Sequence, residues 1–303
     1  MTTKQHLSSN GVPLDADPSV FGELRRSDDI FHDTEMLRER MAQDGYLLLP
    51  GLLDRKEVLD ARASITDQFA SEGILDPSEP SIKAIAKPGV EMYFRPDVAN
   101  HNERVERVIY GARMLGFFER FLGGEVRHYD FTWVRAVAHG LGTCPHCDIV
   151  YMGRGTTNLY TAWTPLADIP LELGGLIVLE NSHKIDHMKQ TYGKLDVDAM
   201  CENSSAGRNV VEARGYEESG AITLDPRGLR EKLGGRWLTT EYKMGDVLIF
   251  SMFTIHGSLD NQTHEIRLST DSRYQLASEP YDERWVGEEP IGHGPAAKRN
   301  LIC

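Results

Sequence analysis

The sequence predicts a mainly β protein with flanking helices, and three observations support this fold class. From residue 126 onward, short apolar segments alternate with turn residues, which is typical of a sandwich or barrel. Before residue 126, apolar residues recur at helical spacing in three segments. The length of 303 residues suits one large domain of this kind. A two-layer jelly roll fits the number of predicted strands.

Three helices and one buried strand are predicted in the first half of the chain. The helices cover residues 34–42, 54–70 and 103–122, and the strand covers residues 46–50. Asp54 is the predicted N-cap of the second helix, because its carboxylate can accept hydrogen bonds from first-turn amides. The apolar stripe of that helix consists of Val58, Leu59, Ala61, Ile65 and Phe69. Gly123 and Gly124 end the third helix.

Six further strands are predicted in the second half, at residues 126–138, 148–151, 160–167, 176–180, 246–255 and 265–276. The segment 74–100 contains four prolines and is predicted as a long loop with one strand at 91–94. Long loops in compact domains are often functional, so this loop is a candidate lid.

The domain organisation follows from these elements. We predict a single domain over residues 34–278, a polar N-terminal arm over residues 1–33 with little core of its own, and a C-terminal tail over residues 279–303 folded on the surface. Residues 181–235 are polar and rich in glycine, and they are predicted as an excursion from the barrel rim that shapes a substrate pocket.

Composition and charge restrict the partners. With 33 Lys and Arg against 46 Asp and Glu, the formal charge is −13, which disfavours nucleic acid and anionic membranes. The sequence has no apolar segment of spanning length and no signal-peptide pattern at its start, so we expect a cytoplasmic protein. The four cysteines fit reduced thiols. Oligomeric state is left open.

The segment Cys144-Pro145-His146-Cys147-Asp148 contains the candidate metal ligands. On a strand, His146 and Asp148 would point to the same face. His256 lies in a second apolar segment far along the chain. Two histidines and one carboxylate form the facial triad of non-haem Fe(II) oxygenases, although His-x-Asp alone is a weak signal. A structural role for each residue therefore stays open at this point.

Two residues that follow His256 strengthen the hypothesis of a metal site. Ser258 and Arg267 follow at spacings of two and eleven residues. An arginine facing a metal site can hold the carboxylate of a diacid co-substrate through two hydrogen bonds. Arg273 has the same strand parity as Arg267 and is the rival for this role, and a surface position remains the alternative for either arginine.

Several motifs resemble the phytanoyl-CoA dioxygenase family. They are Asp44-Gly45-Tyr46, the run 162–166, the run 173–184 with Gly174-Gly175 and Asn181-Ser182-His183, the run 245–250, and the run 255–267 from Ile255-His256-Gly257-Ser258 to Arg267. The resemblance covers most of residues 36–276. It implies a double-stranded β-helix, a cupin-like jelly roll, with Fe(II), O2 and 2-oxoglutarate.

Carried over residue by residue, the resemblance implies iron ligands at His146, Asp148 and His256. It also implies a 2-oxoglutarate site made of Arg267, Ser258 and Trp163, and a structural role for His183. A carboxylate at Asp148 implies hydroxylation rather than halogenation. The expected reaction is hydroxylation of an unactivated C–H bond in a small metabolite or natural product, with release of succinate and CO2.

Other functions stay open in the sequence. One is a cupin-type dioxygenase without 2-oxoglutarate, one is an acyl-CoA 2-hydroxylase using a basic patch at Lys83, Lys87 or Arg95, and one is a binding protein without activity. The pair Cys144 and Cys147 suggests zinc or thiol redox chemistry, but no second pair of zinc ligands is recognisable. We expect Cys147 to face away from the metal. No further candidate ligand stands at a metal-binding spacing from His128, His139 or His264.

Overall fold

The computed structural model describes residues 7–199, 220–293 and residue 297. Its helices are α1 (Thr34–Asp44), α2 (Arg55–Ser71), α3 (Glu103–Ile109), α4 (Ala112–Leu122), α5 (Ile149–Met152), α6 (Asp186–Gln190) and α7 (Pro226–Leu233). Asp54 caps α2 by accepting from the amides of Lys56 and Glu57, as predicted. Leu59 is 41% exposed, so its predicted place in the buried stripe of α2 is wrong.

The strands are β1 (Ser8–Ser9), β2 (Val12–Pro13), β3 (Phe21–Glu23), β4 (Tyr46–Leu49), β5 (Val126–His128), β6 (Trp133–Val137), β7 (Tyr160–Pro165), β8 (Leu176–Leu179), β9 (Trp237–Thr239), β10 (Val247–Ser251), β11 (His256–Ser258) and β12 (Arg267–Leu276). The larger sheet has the order β4-β10-β7-β12-β5, and β6 also pairs with β12. The smaller sheet has the order β11-β8-β9-β3, and β1 pairs with β2.

The larger sheet lies between a helical layer and the smaller sheet. Leu47, Leu49, Val247 and Ile249 belong to one core with α1, α2, α3 and α4. Alternate residues of the same strands, such as Leu48 and Leu248, belong to a second core with β8 and β9. The two faces of β4 and β10 are therefore both buried, and the predicted jelly roll with flanking helices is the observed architecture.

Two predicted elements are divided in the structure. The helix predicted at 103–122 is broken between α3 and α4, where a Cβ on Gly111 would lie 2.1 Å from the carbonyl oxygen of Arg107. The strand predicted at 126–138 is divided into β5 and β6. Within the predicted loop 74–100, the expected strand at 91–94 is reduced to one bridge between Phe94 and Arg135.

The strand predicted at 148–151 is wrong, because α5 begins directly after Asp148. The backbone of Asp148 is already helical, with φ −65° and ψ −23°. Ile149 and Val150 gave the segment a strand-like composition, but a short helix buries both side chains together with Met152. Tertiary burial thus overrides the β-propensity of two branched residues.

Both ends of the described chain pack into the fold. In the predicted arm, β3 pairs in parallel with β9, and Leu7 and Leu24 are each 5% exposed. In the predicted tail, Arg284 and Trp285 are buried. The contacts join positions far apart in sequence, which explains why local patterns do not predict them. The proposed domain boundaries stay predictions. Among the described residues, we find no helix with the length and apolar character needed to cross a membrane.

Candidate metal centre

Three side chains predicted as metal ligands converge between the two sheets. The potential ligand atoms of His146, Asp148 and His256 all lie within 4.8 Å of one another, and all three side chains are buried. Nε2 of each histidine is 3.7 Å from Oδ1 of Asp148. One ion bound at about 2.0–2.2 Å to nitrogen and oxygen can bridge this separation.

Backbone hydrogen bonds fix the two histidines relative to each other. The amide of His146 donates to the carbonyl of His256 at 2.9 Å, and the amide of His256 donates to the carbonyl of His146 at 3.0 Å. Asp148 joins them because the chain turns into α5 at this residue. The predicted convergence is therefore observed, although the reason given from strand alternation does not apply.

Each histidine is held in the tautomer that a metal ligand needs. Nδ1 of His146 lies 2.9 Å from the carbonyl oxygen of Cys144, and Nδ1 of His256 lies 3.0 Å from that of Thr254. Because a carbonyl can only accept, both Nδ1 atoms carry the proton and donate. The lone pair of each Nε2 then faces the centre of the triad.

Two donors hold the outer oxygen of Asp148. The hydroxyl of Thr161 donates to Oδ2, and Nη2 of Arg273 donates to the same oxygen at 3.1 Å. Oδ1 is thereby directed toward the histidines. Burial raises the pKa of Asp148, whereas the charge of Arg273 and the hydrogen bond from Thr161 lower it, and the net result is a pKa below its ordinary value. The carboxylate is ionised at neutral pH.

The histidines are neutral at the same pH. Burial, with a smaller contribution from His256, lowers the pKa of His146 to about 3. Burial also lowers the pKa of His256. A divalent cation needs neutral imidazoles and an ionised carboxylate, and this donor set with its open face fits Fe(II).

Arg267 lies on the inner face of β12 and is 1% exposed. Its Nη1 donates to the hydroxyl of Ser269 at 3.0 Å, whereas Nε has no acceptor among the described residues. Burial lowers the pKa of Arg267 to about 10, so the guanidinium is still charged at neutral pH. Tyr93 interacts electrostatically with Arg267, and no sequence pattern pointed to this tyrosine. The buried positive charge of Arg267, with Nε still available as a donor, is suited to binding an anion.

The other two predicted co-substrate residues are also buried. The hydroxyl of Ser258 accepts from the amide of Thr143 at 2.8 Å, and Thr143 in turn accepts from the hydroxyl of Tyr93 at 2.9 Å. Trp163 packs against Tyr242 with ring centroids 4.6 Å apart. Tyr242 also interacts electrostatically with Arg267. The contact of Ser258 and Trp163 with 2-oxoglutarate stays a prediction.

The remaining candidate histidines and cysteines lie outside the triad. Nε2 of His183 donates to the carbonyl of Ala42 at 3.0 Å. His139 stacks on His264. Cys144 and Cys147 form no disulfide within the described part of the chain, and the thiol of Cys147 donates to the carbonyl of Phe253. Burial raises the pKa of Cys147, which disfavours redox chemistry. Cys201 and Cys303 lie outside the described residues.

Comparison with known families adds a decisive observation. The model of the phytanoyl-CoA dioxygenase (PhyH) family matches residues 41–269, a range that contains the triad and Arg267. The chain belongs to the phytanoyl-CoA dioxygenase family. Membership and the triad confirm the predicted family, the jelly-roll fold and the enzyme class, a non-haem iron dioxygenase that uses 2-oxoglutarate.

Similar proteins in this family and fold are known. The chain is 26% identical over 271 residues to a 1-deoxypentalenic acid 11-beta-hydroxylase from Streptomyces exfoliatus, with 82% of this chain and 83% of the relative covered. The epimerase SnoN from nogalamycin biosynthesis, solved with Fe3+, alpha ketoglutarate and nogalamycin RO, is 22% identical with a TM-score of 0.57 and coverages of 89% and 91%.

EctD from S. alaskensis, solved with 2-oxoglutarate and 5-hydroxyectoine, has a TM-score of 0.57 at 18% identity and coverages of 93% and 92%. At these identities, the structural likeness shows the fold alone.

Proposed function

We propose that this family member hydroxylates an unactivated C–H bond of a small metabolite or natural product while 2-oxoglutarate is converted to succinate and CO2. The observation that carries the proposal is the convergence of His146, Asp148 and His256 with both Nε2 lone pairs facing Oδ1 of the carboxylate. The hydroxylase relative from Streptomyces supports the reaction type. Localisation in the cytoplasm stays a prediction.

The protein's part in this reaction is to bind, orient and enclose. The triad would hold iron on one face, and the iron supplies the oxygen chemistry when bound. Arg267 would anchor the distal carboxylate of 2-oxoglutarate through its free Nε donor, with Ser258 beside it and Trp163 along the pocket wall. The charge of Arg267 and its burial support this role.

Two predicted covers contact the site. In the described part of the 181–235 excursion, the hydroxyl of Tyr192 accepts from the amide of Cys147 at 3.2 Å, and the amide of Ile222 donates to the carbonyl of Pro145 at 2.8 Å. Tyr93 reaches Thr143 from the 74–100 loop. These contacts support a role for both segments in excluding water from the reaction. Residues 200–219 of the excursion lie outside the described residues.

The acyl-CoA alternative gains no support from the cations proposed for it. Lys83 is paired with Glu79, and Lys87 donates to the carbonyl of Gly73. Arg95 is held by two acidic neighbours. Because a CoA thioester carries several negative charges, it needs cations that are free to bind it. A small substrate is the better fit.

The first experiment removes ligands. His146→Ala and Asp148→Ala should each abolish Fe(II)-dependent formation of succinate from 2-oxoglutarate, because two remaining donors bind the metal too weakly. His139→Ala is the matched control, since this exposed histidine contacts Thr263 and His264 away from the triad. Succinate is measured by mass spectrometry, and folding by circular dichroism. Retained turnover in both ligand variants would refute the proposal.

The second experiment tests the co-substrate. Addition of 2-oxoglutarate to the anaerobic Fe(II) protein should produce a visible absorption band, which a dioxygenase that does not bind 2-oxoglutarate would lack. Arg267→Ala should raise the 2-oxoglutarate concentration at half-saturation of this band, whereas Arg55→Ala, which removes an exposed ion pair with Asp168, should leave it unchanged. If the 2-oxoglutarate concentration at half-saturation is unchanged in Arg267→Ala, the anchoring role belongs to Arg273 instead.

A further inference from the structure

Buried hydrogen-bond donors without acceptors lie around the ring of Trp133, next to the metal centre. The guanidinium of Arg273 lies over this ring, with Cζ 4.0 Å from the centroid, and the side chain is 3% exposed. Its Nη2 donates to Asp148, but Nε and Nη1 have no acceptor among the residues that the structure describes. Nε1 of Trp285 is also buried, again without an acceptor in the described part of the chain. Burial of a hydrogen-bond donor without an acceptor is unfavourable. Each of these three nitrogen atoms would be satisfied by a ligand atom that accepts a hydrogen bond.

Aromatic side chains surround these donors. Phe131, Trp133 and Trp285 form a cluster with ring centroids 4.6 to 5.3 Å apart. We call these three residues the aromatic cluster. The cluster is linked to the metal centre by Arg273, which contacts both Trp133 and Asp148. A ligand held here would have an apolar body against the rings and an acceptor group at the donors.

The charge balance indicates that this acceptor group is anionic. Iron brings two positive charges, and Arg267 and Arg273 bring one each, while Asp148 and the dianion of 2-oxoglutarate bring three negative charges. Arg135 is paired with Asp271 and adds nothing to the balance. One positive charge is left in a buried site, where an unpaired charge is costly. A single negative charge on the substrate would neutralise it.

We propose that Arg273 and the aromatic cluster bind the prime substrate, and that this substrate is an apolar small molecule with one carboxylate. The inference rests on the proposed oxygenase function. Nε and Nη1 of Arg273 can each donate a charge-assisted hydrogen bond to a carboxylate oxygen, while Nη2 stays on Asp148. Arg267 and Arg273 share one face of β12 six residues apart, about 20 Å along the strand, so each can serve a different anion.

The segment 282–293 forms part of this subsite. It contributes Trp285 to the aromatic cluster, and a buried ion pair between Arg284 and Asp198 anchors it to the rest of the fold. His293 also contacts Asp198 at 2.9 Å and packs against Trp285.

The test uses three pairs of acid and neutral alcohol with the same body: benzoate and benzyl alcohol, cyclohexanecarboxylate and cyclohexylmethanol, and adamantane-1-carboxylate and adamantane-1-methanol. Each probe is titrated by calorimetry into the anaerobic Fe(II) and 2-oxoglutarate complex. At least one acid should bind about tenfold more tightly than its alcohol, as one charge-assisted hydrogen bond predicts. No preference for the acid in any pair would overturn the proposal.

Variants then assign the preference to Arg273. Arg273→Gln should reduce the ratio of acid to alcohol affinity to below about twofold, and Arg273→Lys should retain part of it because the charge remains. Arg55→Gln is the control for loss of an exposed arginine. Saturating Fe(II) is used throughout, since Arg273 also holds Asp148. A preference that survives in Arg273→Gln would overturn the assignment.

The visible absorption band formed with 2-oxoglutarate distinguishes a failure of the proposed function from a failure of the substrate inference. If the wild-type protein shows no band with 2-oxoglutarate, the proposed function fails. If the band forms but no acid is preferred, only the substrate inference fails. If Arg273→Gln raises the 2-oxoglutarate requirement while Arg267→Ala does not, Arg273 is the co-substrate anchor and the inference is overturned.

Discussion

Thr161→Val should weaken metal binding while the fold stays intact. Thr161 is buried on β7, and its hydroxyl donates to Oδ2 of Asp148. Valine has nearly the same shape but no donor, so the carboxylate loses one of the two groups that direct Oδ1 toward the histidines. Arg273 still holds Oδ2, which keeps the carboxylate ionised but lets it rotate.

The magnitude follows from the type of bond that is removed. A hydrogen bond to a charged group contributes about 1.5–3 kcal/mol, so the free energy of unfolding of the metal-free protein should fall by that amount. Loss of an outer contact to a metal ligand typically costs about 10–100-fold in metal affinity. Because one of two contacts remains, we expect the lower half of that range for Thr161→Val.

The assay is calorimetric titration of the metal-free protein with Mn(II), which avoids oxidation of iron. Thr161→Ser keeps the hydroxyl and should bind metal nearly as wild type does. Thr164→Val is the matched control, because Thr164 is a buried threonine of the same strand whose hydroxyl has no partner within the described ranges 7–199 and 220–293. Equal metal affinity in wild type and Thr161→Val, or an equal loss in Thr164→Val, would refute the reasoning.

Two other predictions concern stability. Gly45→Ala should lower the unfolding temperature more than Gly89→Ala. Both glycines have φ near +80°, but only at Gly45 would the new Cβ lie against a ring, 2.3 Å from Nδ1 of His183. Equal losses of unfolding temperature in the two variants would show that the His183 ring moves freely. The metal-free protein should lose stability as the pH falls from about 6.5 toward 4, because the lowered pKa values of His146 and His256 let the unfolded chain bind more protons in that range. The slope reaches at most about 1.4 kcal/mol per pH unit for each histidine. Urea unfolding in the presence of a chelator measures it, and His146→Gln should flatten it; a flat profile in wild type would contradict the depressed pKa values.

Local signals predicted much of the fold. The cap at Asp54, the end of α4 at Gly123 and the buried strand after Gly45 each depend on neighbours within a few residues, and the structure shows all three. The break at Gly111 and the helix after Asp148 were missed. Both depend on which surface the rest of the chain offers for packing, and short sequence windows do not contain that information.

The candidate site was also predicted in part from sequence signals and missed in part. The spacing around His146 and His256, together with the family resemblance, predicted the three converging side chains. Thr161 and Trp133 were missed, because their importance lies in contacts with Asp148 and Arg273, which are distant in sequence. Parity along β12 identified Arg273 as a rival of Arg267, but only the folded chain shows that Arg273 is bonded to a metal ligand.

The reciprocal amide bonds between His146 and His256 are made by backbone atoms alone. The imidazoles are therefore prearranged by the backbone, and their ring protons are already fixed by nearby carbonyls. A consequence is that loading should need no refolding step, so that cobalt, nickel or zinc can replace iron in purified protein. Such exchange gives air-stable, inert forms suited to capturing a bound substrate in crystals.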